Sequence, residues 1–486
     1  MKYEARNIGA ILLEWSKIDP HAVSVEQQGR RYTRAEVIGA AQSLATFFKE
    51  SGVKNGESIA VLPGDPLRGI EAMIALWSLE AAVLFLDPRQ PVEDIDRTRD
   101  MANIDAVFTD IPSFARKAEC ALLPPREEVV QTGHGLTFPP ASHTSDALIL
   151  SSSGTIDFPR FRRVSHHNFV ESTQVGGRIL GNPIPFSSVL IGSLAFGAVL
   201  GNWIRVMING RFILSLPLFS RIEELDQALC RKDIQAVGLP PVLIRDLLAH
   251  HNKVPTNCAG PKYPHIQRLI SVGGPIAPQD LVKAYSVLTP GVKNLYSMTG
   301  VGAVSILSGE EILRKSDSVG KPLPEMTVRV EDADGNSLPD GQTGQIVVKR
   351  NWEPGAVAVN SGDMGWFDSD GYLFVSGRNL QMATRNSVNI HLPDLEQDAK
   401  QLKEVRDCVA FSAKSESTPD DRIFLAVETD ATIDFVRKRL RDTIAAYRRP
   451  DKILVSKQLP RSSSNKIVLR LLRDMANEKE NGFVDF

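Results

Sequence analysis

The stretch Ser151-Ser-Ser-Gly-Thr-Ile-Asp-Phe-Pro-Arg160 gathers small hydroxyl side chains, a glycine and a closing arginine. Hydroxyl and backbone N–H groups in such a loop can converge on phosphate oxygens, and an arginine adds charge and a bidentate fork. Ser152, Ser153, Gly154, Thr155 and Arg160 are therefore candidate phosphate ligands. A Ser/Gly loop is also a common connection, so the chemistry needs a second signal. The C-terminal stretch carries Arg448, Arg449, Arg461, Lys466, Arg470 and Arg473. Any single lysine in such a basic run is ordinarily solvated.

The elements around these residues alternate. Ser58-Ile-Ala-Val-Leu62 reads as a strand, Gly69 to Leu79 as a helix, and Ala82-Val-Leu-Phe-Leu-Asp-Pro88 as a strand ending in a turn. That grammar belongs to a parallel sheet covered by helices. Residues 121–145, rich in Pro, Thr, Ser and Gly, read as a surface connection. From Ala147 the order strand, loop, helix predicts a nucleotide loop, and Ser318 to Val348 predicts a compact β unit with glycine turns.

At 486 residues the chain exceeds one hydrophobic core, so at least two domains are expected. A formal net charge of -2 gives no electrostatic case for nucleic acid or an anionic membrane. Cys120, Cys230, Cys258 and Cys408 lack metal-ligand or CxxC spacing and read as buried small residues in a reducing compartment. The N-terminus lacks the apolar core of a signal peptide, which makes the cytoplasm the expected location. Val189 to Ile208 is strongly apolar, but Asn202, Arg205 and glycines interrupt it, so a buried strand and core helix are expected there and no membrane span.

Residues 361–378, Ser-Gly-Asp-Met-Gly-Trp-Phe-Asp-Ser-Asp-Gly-Tyr-Leu-Phe-Val-Ser-Gly-Arg, resemble the segment with which adenylate-forming enzymes hold a nucleotide ribose. Further matches follow in order. The loop from Ser151 continues through Ser165, His166 and Asn168 as in that superfamily of acyl-CoA synthetases, peptide-synthetase adenylation domains and luciferases. Ser271-Val-Gly-Gly-Pro-Ile-Ala277 resembles its glycine turn beside adenine, and Leu295-Tyr-Ser-Met-Thr-Gly300 its Y-G-x-T-E. Leu459-Pro-Arg-Ser-Ser-Ser-Asn-Lys-Ile467 resembles its C-terminal lysine motif.

The resemblance implies an α/β fold: a large N-terminal domain of helix-covered sheets plus a β unit over residues 1–377, and a small mobile α/β domain over 378–486, hinged near 378–381. It implies ATP and magnesium as cofactors. Asp363 would accept the ribose hydroxyls and Arg378 would donate to ribose or phosphate; Gly273, Gly274, Pro275, Tyr296 and Ser297 would lie against adenine. Thr299 and Arg160 would reach phosphates, and Lys466 would bridge substrate carboxylate and α-phosphate in the transition state. His166 and Asn168 would brace the loop. The helix between Gly192 and Gly210 would line the acid pocket, with Leu194, Phe196, Val199, Leu239, Gly300 and Gly302 around the substrate. Nothing acidic lies between Ser187 and Phe212, which disfavours an α-amino acid and favours an apolar aliphatic or aromatic one.

Several positions depart from the pattern. Ile156, Asp157 and Arg160 replace threonine, glycine and lysine, and Gly300 replaces the glutamate that helps bind magnesium, so the protein supplies no metal ligand there. Arg162 and Arg163 are candidates to offset Asp157. Leu380 stands at the hinge, Thr384 replaces a lysine, and Asn386 and Ser387 occupy a glycine region that would meet a pantetheine thiol. The expected activity is ATP-dependent ligation of a small carboxylic acid, through an acyl- or aryl-adenylate, to a thiol of CoA or of an acyl or peptidyl carrier protein. A repurposed nucleotide-binding relative and an adenylating enzyme with an amine acceptor are the alternatives.

Overall fold

The computed structural model describes residues 7–89, 93–118, 120–126, 135–140, 145–151, 161–179, 186–217, 220–253, 260–298, 301–332, 334–353, 355–378, 382–385, 388–414, 421–444, 448–462, 467–477 and 482–486. Contacts divide the chain into two units. The first runs through Thr327 and takes in Lys349–Val357; the second takes Val328–Val348 and Ala358–Phe486.

The first unit holds two sheets. In the smaller, Ser58–Leu62 lies between Ala82–Phe85 and Ala106–Thr109, all parallel, and Ala82–Phe85 pairs in turn with Asp146–Ser151. Every residue of Ser58–Leu62 is buried, as a parallel strand covered on both faces requires. The following helix, Pro66–Ser78, begins a turn earlier than the apolar pattern suggests. Asp65 accepts the Leu67 N–H at 2.8 Å and Pro66 sits in the first turn, where its missing N–H costs nothing.

Asp146–Ser151 does not lead through its loop into a helix. Phe161–Ser165 returns antiparallel to it, with Ser151 opposite Phe161, and only then does the helix His166–Ile179 begin. The expected strand-loop-helix is a hairpin followed by a helix, and residues 152–160 lie outside the described residues. Ser165 caps that helix by accepting the Asn168 N–H at 3.1 Å.

The larger sheet has nine strands, and its central ones, Val292–Met298, Arg268–Ser271, Ala236–Leu239, Ser188–Leu190 and Ile213–Ser215, run parallel. The apolar run near residue 200 resolves as expected into the strand Ser188–Leu190 and the helix Gly197–Ile208. Leu200, Trp203, Ile204 and Met207 of that helix are buried in a core shared with Ile8, Phe48 and Trp77. Among the described residues no helix is long and apolar enough to cross a membrane.

The second unit contains a four-stranded sheet ordered Met326–Glu331, Gly344–Arg350, Val359–Phe367, Leu373–Arg378, which is the β unit expected from the glycine turns. It also contains the hairpin Met382–Arg385 with Val388–His391, and a sheet of Asp407–Lys414, Asp421–Glu428, Lys452–Ser456 and Val484–Asp485. The helices Leu392–Lys400, Ile433–Thr443 and Leu469–Asn477 accompany them. The cysteines depart from expectation: Cys408 is buried, but Cys120 is half-buried and Cys230 exposed, and Cys258 lies outside the described residues.

Candidate functional site

In a parallel sheet, ligands bind beyond the carboxyl ends of the strands. The turn at Gly273 follows the end of Arg268–Ser271, and Tyr296 and Ser297 close the end of the adjacent Val292–Met298; Ser271 is the register partner of Asn294. The two segments that the sequence assigns to adenine are thus brought side by side. Gly273 has φ +93, and a Cβ at that position or at Gly274 would meet nothing within 4 Å among the described residues. Pro275 is exposed beside them. Tyr296 is half-buried and Ser297 exposed. After Met298 the chain turns back, with Met298 opposite Gly302, whose φ is +94. Ser271 ends its strand with a fully buried hydroxyl that has no hydrogen-bond partner among the described residues.

The hairpin that bears the hydroxyl-rich loop is braced by His166 and Asn168. Nδ1 of His166 accepts the Ile8 N–H at 3.2 Å, and its ring meets Trp77 edge-on at 5.2 Å. Asn168 donates to Glu353 at 3.2 Å. Burial holds the His166 imidazole neutral, pushing its pKa from 6.5 down to about 3. The unfolded chain therefore binds a proton below pH 6.5 that the folded chain refuses, and stability falls as pH drops through that window. At pH 5 the loss is about 2 kcal/mol relative to neutral pH. His166→Gln, which keeps an acceptor without that proton, should flatten the profile in urea unfolding at pH 7 and pH 5; an unchanged slope would mean that other groups set it. Arg163 is engaged with Asp146 at 3.1 Å and Ser58 at 2.9 Å, while Asp157 lies outside the described residues.

Along Gly197–Ile208 the positions Ala198, Asn202 and Arg205 form a partly accessible stripe, opposite the buried face. Asn202 approaches Gly238 on the strand Ala236–Leu239: a Cβ at Gly238 would stand 3.8 Å from its Nδ2 and 4.0 Å from Val272. The stripe therefore continues through Gly238 to the residue before the Gly273 turn. Arg205 lies back along the helix, where Gly201 gives it room, and its guanidinium carbon is 5.9 Å from the Phe169 ring centre. Among the described residues the guanidinium has no hydrogen-bond or ion-pair partner. Burial lowers its pKa, a sign that water does not solvate it fully.

Of the apolar candidates, Leu194 and Leu239 are core residues, 2% and 0% exposed. Phe196 and Val199 are half-buried. Arg89, held by Asp87 at 2.8 Å, leans over the Phe196 ring at 5.8 Å.

In the second unit Asp363 and Arg378 are direct partners across antiparallel strands. Residues fifteen apart in sequence thus stand opposite each other on neighbouring strands. Gly362, with φ +76, and Ser361, whose Oγ donates to Ile346 at 2.8 Å and accepts the Asp363 N–H at 3.0 Å, shape the turn into that position. In the hairpin beyond it Arg385 pairs with Val388, leaving Asn386 and Ser387 between them.

The family model of AMP-binding enzymes matches residues 12–353, more than two thirds of the chain. The chain belongs to the AMP-binding enzyme family. Within that family it is similar to a 2-succinylbenzoate–CoA ligase of Oceanobacillus iheyensis, at 22% identity over 94% of this chain and 97% of the relative. Its fold matches that of o-succinylbenzoate CoA synthetase from Bacillus subtilis in complex with an acyl-adenylate intermediate, with TM-score 0.81 at 19% identity, covering 97% of this chain and 98% of the other. An amide bond synthetase from Marinactinospora thermotolerans matches with TM-score 0.77 at 17% identity over 96% of this chain and 99% of its own.

Membership in the AMP-binding enzymes agrees with the superfamily and the α/β fold expected from the sequence. Ser152, Ser153, Gly154, Thr155, Arg160, Thr299, Gly300 and Lys466 lie outside the described residues, as does the side chain of Arg378. Arg205 is the residue that sequence reasoning missed. Its signal was present, since it is the one charge inside the apolar helix Gly197–Ile208.

Proposed function

We propose that this AMP-binding enzyme activates a carboxylic acid that bears a second carboxylate, forming an acyl-adenylate from MgATP and passing the acyl group to the thiol of CoA. The observation that carries the acid class is Arg205. A half-buried guanidinium with no anion beside it among the described residues, on the helix assigned to the acid pocket, is costly unless the ligand supplies the charge. This revises the expectation of a purely apolar acid. The relatives named 2-succinylbenzoate–CoA ligases carry such an aryl dicarboxylic acid in their name.

In the first step a carboxylate oxygen of the acid attacks the α-phosphorus, the bond to the bridging oxygen breaks, and pyrophosphate leaves. Lys466 neutralises charge between the carboxylate and the α-phosphate, with Thr155, Thr299 and Arg160 on phosphate oxygens. Asp363 and Arg378 hold the ribose, and Gly273, Gly274, Pro275, Tyr296 and Ser297 the adenine. In the second step the thiol sulfur attacks the acyl carbon, its proton is released, and AMP departs. Residues 378–486 act as the small mobile domain, pivoting near 378–381 between the steps.

Among the described residues no group of three acidic, histidine or cysteine side chains is placed to hold a metal ion. Magnesium fits as part of the MgATP substrate, liganded chiefly by phosphate oxygens, as that ion often is in nucleotide sites. The place of action is the cytoplasm, where CoA and ATP are available. An amine acceptor is the second reading, favoured by Asn386 and Ser387 between Arg385 and Val388 and by the amide synthetase likeness.

Acid-dependent ATP–pyrophosphate exchange across mono- and dicarboxylic acids tests the first step. Exchange confined to acids with two carboxylates is the expected result, and exchange with monocarboxylates alone would remove the anion-anchor reading. Supplying CoA, then amines, to the productive acid distinguishes the acceptors by product.

A further inference from the structure

The residues that flank the segment containing Lys466 meet at one place. Arg461 and Ile467 form an antiparallel bridge, and the Val468 N–H donates to the Pro460 carbonyl at 2.8 Å. Lys466 is the residue directly before the closing partner. Two kinds of force hold this base. On one side Leu459 is buried and Ile467 packs against the cluster of Phe411, Phe424 and Leu472. On the other, Nη2 of Arg461 donates to Asp407 and to Glu428, both at 2.9 Å.

The two acceptors are themselves fixed. Asp407 and Glu428 are register partners on neighbouring strands. Lys400 reaches Asp407 at 3.1 Å, and Glu428 also accepts the Leu459 N–H at 3.1 Å. Burial would raise the Asp407 carboxyl, but Lys400 and Arg461 hold it below the usual carboxylate range. The tether is thus a charge-assisted pair anchored to rigid sheet, and Arg461 is only 19% exposed.

We propose that Arg461 is a positioning residue for adenylation: by locking the base of this segment to Asp407 and Glu428 it sets where the Lys466 ammonium can reach. The proposal rests on the assignment of Lys466 to adenylation. A displacement of about 1 Å in a reacting group can cost up to about 100-fold, whereas binding of substrates made elsewhere is untouched. Since Leu459 and Ile467 still pack, the fold should survive loss of the tether.

The test uses the full chain with Arg461→Gln, Arg461→Lys and Lys466→Ala, each assayed for both half-reactions. Arg461→Gln should lower the kcat of adenylation by about 10- to 30-fold with KM for ATP and acid little changed. Conversion of pre-formed acyl-adenylate and CoA to thioester should stay near the parent rate. Arg461→Lys, which keeps one charged donor, should recover part of the loss. Equal losses in both half-reactions would mark a general structural role and overturn the proposal. Parent-like adenylation in Arg461→Gln, with Lys466→Ala inactive, would overturn it alone. Full adenylation in Lys466→Ala would remove the residue being positioned, and with it both this inference and the assignment beneath it.

Discussion

Lys466→Ala is expected to lower acid-dependent ATP–pyrophosphate exchange by about 100- to 1,000-fold while leaving ATP binding within a few-fold of the parent. The reason is where charge develops. As the acid's oxygen approaches the α-phosphorus, two anionic groups are forced together, and a positioned ammonium is worth most at that point. On the proposed assignment, ground-state ATP would be held by many other contacts: hydroxyls and backbone of the loop from Ser151, the glycine turn at Gly273, and Asp363 with Arg378. Removal of one ammonium should therefore appear in kcat and not in nucleotide affinity. Isothermal titration with ATP beside the exchange assay separates the two. A matched fall in both would make Lys466 an ordinary phosphate contact, and undiminished exchange would remove it from catalysis. Lys466→Arg refines the test, since a planar fork cannot take the compact position of an ammonium and should rescue poorly.

How much of this was legible in the sequence depended on whether the signal was local. Ser58–Leu62 declared itself because a strand covered on both faces must be apolar throughout. The Gly273 turn was legible because only glycine tolerates its φ of +93 cheaply. Asp363 and Arg378 were read from motif alone, and the structure adds that they are direct cross-strand partners. The return strand Phe161–Ser165 escaped because Arg162 and Arg163 interrupt any apolar alternation, and its strand character comes from pairing with Asp146–Ser151. The exposure of Cys230 escaped too, since cysteine type sets only an average preference. Arg205 is the sharpest case. In sequence it was merely a break in an apolar run, and whether a charge has a partner is decided by residues far away in the chain. Phe169, its ring neighbour, lies on another helix.

That charge, without a hydrogen-bond or ion-pair partner among the described residues, makes the acid's second anionic group the most exacting prediction. Arg205→Met keeps an unbranched apolar stem of similar length and deletes the charge. With 2-succinylbenzoate as probe, kcat/KM for adenylation should fall by about 100- to 1,000-fold, because breaking a buried charge pair costs about 3 to 4 kcal/mol and strands the carboxylate. With benzoylpropionate, the same skeleton without the ring carboxylate, the variant should equal or exceed the parent, since no desolvated guanidinium remains to oppose an uncharged ring. The crossing of the two selectivities is the decisive feature. A stability loss would depress both acids together, and a pocket-shape effect would follow acid size and not charge. Asn202→Ala should give a smaller change in the same sense, because a neutral donor beside Gly238 adds a hydrogen bond without the long-range attraction. If Arg205→Met leaves the ratio of the two acids unchanged, the guanidinium serves the fold and the acid is selected by the apolar surface of Phe196 and Val199. The prediction is asymmetric for a physical reason. A site built around a buried charge rejects a ligand that lacks the matching group far more strongly than an apolar site rejects one carrying an extra methylene.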